Sequence, residues 1–152
     1  MKKRILFLSL ALMSLTAFSY ADVAPATVSK YVVTSFNKQF SNASNVKWEN
    51  TENYIKAQFM VNDVVLSAYF NRNGDLIAVT RFISPSQLPL ELQSSLKKVA
   101  SNHWISDLFE IQSEAGTSYY LTTENADQIV VLKSEGTNGW QVFQKEKKEN
   151  NE

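Results

Sequence analysis

His103 is the only imidazole in a chain of 152 residues that has no cysteine, and this scarcity settles most questions of chemistry. One histidine cannot build the multi-histidine zinc sites that hydrolysis commonly uses, and without cysteine there is no thiol nucleophile or thiolate metal site. His103 stands beside Trp104 at the predicted end of a helix, where an imidazole bonds terminal carbonyls and favours the negative end of the dipole. Serine hydrolysis with His103 as base would need a serine in a strained strand-to-helix turn, and no Gly-x-Ser-x-Gly run occurs. The carboxylate pairs Asp107 with Glu110 and Glu49 with Glu52 have the chemistry of a glycosidase acid and base. Their spacing does not set them across a cleft, and charges at strand ends and turns are usually solvated. Asn71-Arg72-Asn73-Gly74-Asp75 imitates the start of a calcium loop, but the twelfth position is Phe82 where a bidentate glutamate belongs. A hairpin turn at Asn73 and Gly74 accounts for the same residues. The reading is a protein that is not an enzyme and has no catalytic residue, cofactor or metal.

Aromatic side chains are the remaining candidates. Trp48, Tyr54, Tyr69, Trp104, Tyr119, Tyr120 and Trp140 fall across segments that read as strands. Alternation sends Tyr119 and Tyr120 to opposite faces, so one of them points away from any helix layer. Tyr54, Tyr69, Tyr119 and Trp140 are the candidate binding residues, since exposed aromatics supply most interface hot spots. The competing account is that tyrosines pair with neighbours on a wet sheet face and bind nothing.

The elements that would position these residues follow from the spacing of apolar side chains. Val28, Tyr31, Val32, Phe36 and Phe40 recur at steps of three and four, which predicts a helix over 28–40 with Thr27 as its cap. From Val46 the period becomes two. A short strand holds Val46 and Trp48, then Ile55, Ala57, Phe59 and Val61 share one face, as do Val64, Leu66, Ala68 and Phe70. Asn62-Asp63 and Asn73-Gly74 supply the turns, and the third strand of this meander after the short one runs from Leu76 to Ile83. Pro89 opens a second helix with Leu92, Leu96, Val99 and Ala100 on its apolar face, Glu91 near its start and Lys97 and Lys98 near its end. Further strands are predicted over 105–112, 118–123, 128–133 and 140–144. The fold class is α+β: two tandem halves, each a helix followed by an antiparallel meander, over 27–83 and 88–145, with the helices packed on one face of the sheet.

The termini bound the domain. Lys2, Lys3 and Arg4 precede an apolar run from Ile5 to Phe18, and Ser19 and Ala21 flank Tyr20, the three-part pattern of a secretory signal peptide over 1–21 cleaved between Ala21 and Asp22. The run is interrupted by Ser9, Ser14 and Thr16 and falls short of the ~20 residues of a membrane span. Losing three cations turns the formal balance of zero into net negative charge, which draws the protein to neither nucleic acid nor an anionic membrane. One domain is expected over 22–145, with 146–152 as a frayed tail.

These residues carry a resemblance. The leader, the helix ending in Phe40, Val46-Lys47-Trp48, Tyr54 with Ala57 and Phe59, Ala68-Tyr69-Phe70-Asn71 ahead of Asn73-Gly74, and Leu88-Pro89 at the second helix together resemble the secreted PepSY-like proteins, whose fold is similar to that of beta-lactamase inhibitory protein. The resemblance covers nearly all the mature chain. It implies a periplasmic or secreted module that binds or restrains another protein, peptidases among them, and it brings no catalytic or inhibitory residues with it. The expected function is a non-enzymatic binding module whose partner is an envelope or extracellular protein or peptide. A binder of a small apolar or glycan ligand is the alternative, and a hydrolase the third reading.

Overall fold

The helical period of the first segment becomes α1 (Lys30–Gln39), whose Val32 and Phe36 are buried while Tyr31, expected on the apolar face, is turned to solvent. Residues 28–148 are described by this computed structural model. The expected leader, its Ala21/Asp22 cleavage site, the Thr27 cap and residues 149–152 lie outside the described residues.

Four strands follow, β1 (Ser44–Asn50), β2 (Ile55–Val61), β3 (Val64–Phe70) and β4 (Leu76–Phe82), then a 3₁₀ turn (Pro85–Gln87) and α2 (Leu90–Val99). Four more complete the chain: β5 (Trp104–Ser113), β6 (Gly116–Glu124), β7 (Gln128–Glu135) and β8 (Gln141–Lys147). Each strand pairs antiparallel with the next, so all eight form one sheet in chain order. The tail expected from residue 146 is therefore shorter. β8 runs on to Lys147 because Gln128 to Lys133 offer a continuous partner, and the Lys148 amine then holds Glu124 at 2.8 Å.

Turn chemistry sets the register. Asn62 and Asp63 both have positive φ, 49° and 64°, the pair a two-residue hairpin loop needs. In the β3–β4 turn the Asn71 side-chain oxygen accepts the backbone N–H of Asn73 and of Asp75, both at 2.9 Å. Gly74 has φ +93°, and a Cβ there would lie 2.9 Å from the Tyr31 carbonyl oxygen. The turn thus docks against α1, and glycine is required both for the dihedral and for the approach.

Both helices lie on one face of the sheet. Val28, Val32 and Phe36 pack on Trp48, Ile55, Ala57, Phe59, Ala68 and Phe70. Leu92, with Ile83 and Leu88, packs on Leu108, Tyr119, Leu121 and Leu132. Each helix has ten residues, about 15 Å of length and ~10 Å of width against a sheet roughly 34 Å across at ~4.8 Å per strand. The interval between the two apolar clusters is polar. There Glu110, its side chain 6% exposed, accepts hydrogen bonds from Arg81 at 3.1 Å and from Gln112 at 2.8 Å, and these tie β4 to β5 on the helix side. Tyr119 next to them is ionised with more difficulty than usual, through burial first and then through the Glu110 charge, which Arg81 partly offsets.

Gly74→Ala should cost about 2–3 kcal/mol, the sum of a strained dihedral and a forced retreat of α1, readable as a lowered denaturant midpoint with unchanged m-value. Arg81→Ala should cost roughly 3 kcal/mol by leaving a buried carboxylate without its cation and should raise the Tyr119 pKa further. An unchanged Tyr119 titration, followed by NMR, would contradict this account of the seam.

Candidate functional site

Because side chains alternate, the register fixes what the uncovered face of the sheet displays. One row runs from Phe82 on β4 to Phe109 on β5, Tyr120 on β6 and Lys133 on β7. The rings of this row touch in series. Phe82 meets Phe109 edge to face at a centroid distance of 6.3 Å, Phe109 and Tyr120 are parallel at 5.2 Å, and Tyr120 meets Phe143 of β8 edge to face at 5.4 Å. Such geometries are the favoured ones for aromatic pairs. Phe109 is only 6% exposed although neither described helix lies over it, whereas Phe82 is 71% and Phe143 50% exposed. The row thus has a shielded centre and open ends.

The next row pairs Asp107 with Thr122, then Val131, then Gln144. Beyond it Trp104 faces Glu124 across β5 and β6, and the Lys148 ammonium that holds Glu124 also lies 5.0 Å from the Trp104 ring centre. Asp107 holds its proton more tightly than an ordinary aspartate, because burial disfavours the charge and Glu124 repels it. Glu124 goes the other way, its pKa lowered chiefly by the Lys148 hydrogen bond. Lys133 pairs with Glu135 at 2.8 Å and has a raised pKa, chiefly from that hydrogen bond. At the far side of the same face Lys56 pairs with Glu49 at 3.3 Å, and the Tyr54 and Tyr69 rings meet edge to face at 5.3 Å. An open groove of about 500 Å³ lies where the β1 bulge departs from β2, lined by Asn45, Lys47, Gln58, Met60 and Val65.

The sequence candidates divide between the two faces. Tyr69, with the Tyr54 ring against it, is on the uncovered side, opposite Ala78 on β4 and four residues along that strand from Phe82 of the ring row. Tyr119 and Trp140 belong to the helix side. Tyr119 is buried in the second core cluster and Trp140 packs against that cluster, its indole N–H directed at the Leu92 carbonyl at 3.4 Å. Of the adjacent tyrosines it is Tyr120 that faces outward. Phe82, Phe109 and Phe143 were absent from the sequence candidates. The first two follow from the parity of Tyr120 once the strand register is known, but Phe143 is placed by a bulge in β8.

The chemical constellations dissolve in three dimensions. Asp107 and Glu110 lie on opposite faces of β5, and Glu49 is held by Lys56. The ring nitrogens of His103 meet the Ser101 carbonyl through Nδ1 at 3.0 Å and the Gln128 amide through Nε2 at 3.1 Å, so neither contact is a serine hydroxyl or a carboxylate. Among the described residues no three His, Asp or Glu side chains gather as metal ligands, and no helix is long and apolar enough to cross a membrane.

Solved structures share this architecture. A BLIP-like protein of Bacteroides fragilis superposes with a TM-score of 0.68 at 18% identity, covering 82% of this chain and 89% of that one. A DUF2874 family protein of Bacteroides ovatus gives 0.71 at 16% identity over 80% and 88%. A Bacteroides eggerthii protein with a provisional periplasmic assignment gives 0.69 at 10% identity over 79% and 88%. The chain has the BLIP-like fold. No protein-family model matches its sequence, and no curated protein does.

Ionisation of Asp107 works against this BLIP-like fold. An unfolded aspartate titrates near 3.9. Since the folded pKa is higher, the destabilisation is complete above the folded value and is lost as the pH falls below the unfolded one. Asp107→Asn should therefore raise Tm at pH 7 and leave it unchanged near pH 3, at about one unit below the unfolded carboxyl. Equal Tm values for the two proteins at pH 7 would refute the burial account of Asp107.

Proposed function

We propose that this protein is a non-enzymatic binding module of the periplasm or cell exterior that holds a protein or peptide on the uncovered face of its sheet. The observation that carries the reading is the row of touching rings, Phe82, Phe109, Tyr120 and Phe143, on a face over which neither described helix lies. A shielded aromatic centre with exposed ends is the layout of an interface hot spot, where rigid rings give large contact area at small entropic cost. The export leader read from the sequence and the BLIP-like fold of the neighbours support the location, and the same fold makes inhibition of a peptidase or other enzyme a natural form of the activity. The order of one helix and four strands, followed by one helix and four strands, supports a tandem origin, and the turn and core signatures support a PepSY-like relationship.

The small-ligand reading has one observation of its own, the groove beside the β1 bulge, where apolar Met60 and Val65 stand among the polar Asn45, Lys47 and Gln58. It is open on one side, a poor shape for burying most of a small molecule.

The test is capture from the envelope fraction of the source cells with wild-type protein and with the Phe82→Ala/Phe143→Ala variant. Both rings are exposed, so the variant should keep its Tm within ~2 °C, as solvent-exposed substitutions usually do. Retention of a bound protein should fall at least tenfold, about 1.4 kcal/mol. Undiminished retention by the variant would remove the ring row as the binding surface.

A further inference from the structure

The uncovered face contains one partly buried carboxylate that the fold leaves without a cation. Of its other described acidic groups Glu49 is compensated by Lys56, Glu135 by Lys133 and Glu124 by Lys148, while Glu146 on the edge strand β8 is exposed to water. Asp107 has no hydrogen-bond or ion-pair partner among the described residues, and the charge nearest in effect is that of Glu124, another anion. Directly opposite it on β6 is Thr122, 7% exposed, whose hydroxyl is buried with no hydrogen-bond partner among the described residues. A buried hydroxyl left unsatisfied costs about 1–3 kcal/mol, and a half-buried carboxylate beside another anion adds to that cost. A carboxylate without a cation and a hydroxyl without a partner therefore face one another across a strand pair. One step along the same two strands are Phe109 and Tyr120, the stacked centre of the ring row. Asp107, Thr122, Phe109 and Tyr120 form a square of two polar groups and two rings, with sides of roughly 5 Å across the strands and about 7 Å along them.

This square has the chemistry of a cation site, and the shape of its parts distinguishes between cations. An ammonium could meet the carboxylate as a point charge. A guanidinium can direct two N–H groups at Asp107 and a third toward the Thr122 hydroxyl, while its alkyl stem lies against the accessible part of Tyr120. Lys133, the cation above Tyr120 at 5.8 Å, is held by Glu135, and Lys148 is held by Glu124, so neither supplies the missing charge.

Building on the proposal that the uncovered face holds a protein or peptide, we infer that the partner presents an arginine side chain between apolar residues, received by Asp107 and Thr122 beside the Phe109–Tyr120 stack. The fold bears an uncompensated charge and an orphan hydroxyl at this point, and an arginine brings both the positive charge and the donors for them.

The test uses three blocked peptides that share the frame Phe-X-Phe, with arginine, lysine or neutral citrulline at X, titrated against the purified protein and followed by NMR and calorimetry. The arginine peptide should bind at least tenfold more tightly than the citrulline peptide and several-fold more tightly than the lysine peptide, with shifts at Asp107, Thr122, Phe109 and Tyr120. Asp107→Asn, which should fold at least as well as wild type, should bind the arginine and citrulline peptides alike. Thr122→Val should retain the preference over citrulline and lose the preference over lysine. Equal binding of the arginine and citrulline peptides to wild type, with ring signals still shifting, would overturn the arginine site and leave the docking face standing. Equal binding of lysine and arginine would overturn the guanidinium assignment. Shifts absent from all four ring residues with every peptide would count against the arginine site and the docking face together.

Discussion

The pairing of β4 with β5 is the join on which the remaining structure depends. Ala78 to Phe82 run against Phe109 to Ser113, and this one register makes two four-stranded groups into a single sheet. It also fixes face identity across the join, because a slip of one residue would exchange every side chain of the second group between core and solvent. The seam is held where apolar packing is thinnest. Between the two apolar clusters it has the Arg81–Glu110–Gln112 set. A buried ion pair contributes modestly to net stability but penalises misregistration severely, since a slipped strand would leave Glu110 buried without its cation.

A sheet of this width with two short helices on one side must leave the other side uncovered. Most of that side is managed in the ordinary way, by ion pairs and by small polar residues such as Ser67, Thr80 and Ser118. The ring row departs from this pattern. Phe109 reaches core-like burial in contact with Phe82 and Tyr120 of the same face, and Thr122 and Val131 beside it are equally shielded. These residues make a shallow third layer that neither described helix covers. Its stability comes from ring contacts and apolar neighbours, and its outer members, Phe82 and Phe143, are exposed more than a merely structural layer requires.

Much of this was legible in the sequence because it depends on local chemistry. The period change at Val46, the positive-φ turn at Asn62-Asp63, Gly74 and the Pro89 start of α2 are written in residue types whose backbone preferences act within a few positions. The class of the fold and the side taken by Phe59, Phe70 or Leu121 follow from them. The aromatic face was legible only in kind. Choosing between Tyr119 and Tyr120 needed the direction of the helix layer over β6, which α2 settles through Leu92, a contact across some thirty residues of sequence. Phe143 and Asp107 each follow a bulge that reverses the alternation, in β8 and β5 respectively, and a bulge has no signature in residue type here. The extent of β8 was missed for a related reason. Lys145, Glu146 and Lys147 look like tail composition, but an edge strand next to solvent carries charges as protection against further pairing.

The structural neighbours share the fold at 10–18% identity, which separates what the fold demands from what it permits. It demands small or apolar residues toward the helices and turn residues at the hairpins, and such positions tolerate any residue of suitable size. It does not demand a carboxylate at Asp107, which burial and Glu124 both oppose, or a hydroxyl at Thr122 that finds no partner. Asparagine and valine would serve the fold better at these two positions. On a sheet face beside stacked rings, the proposed arginine would supply what both groups lack, hydrogen-bond donors and positive charge at once.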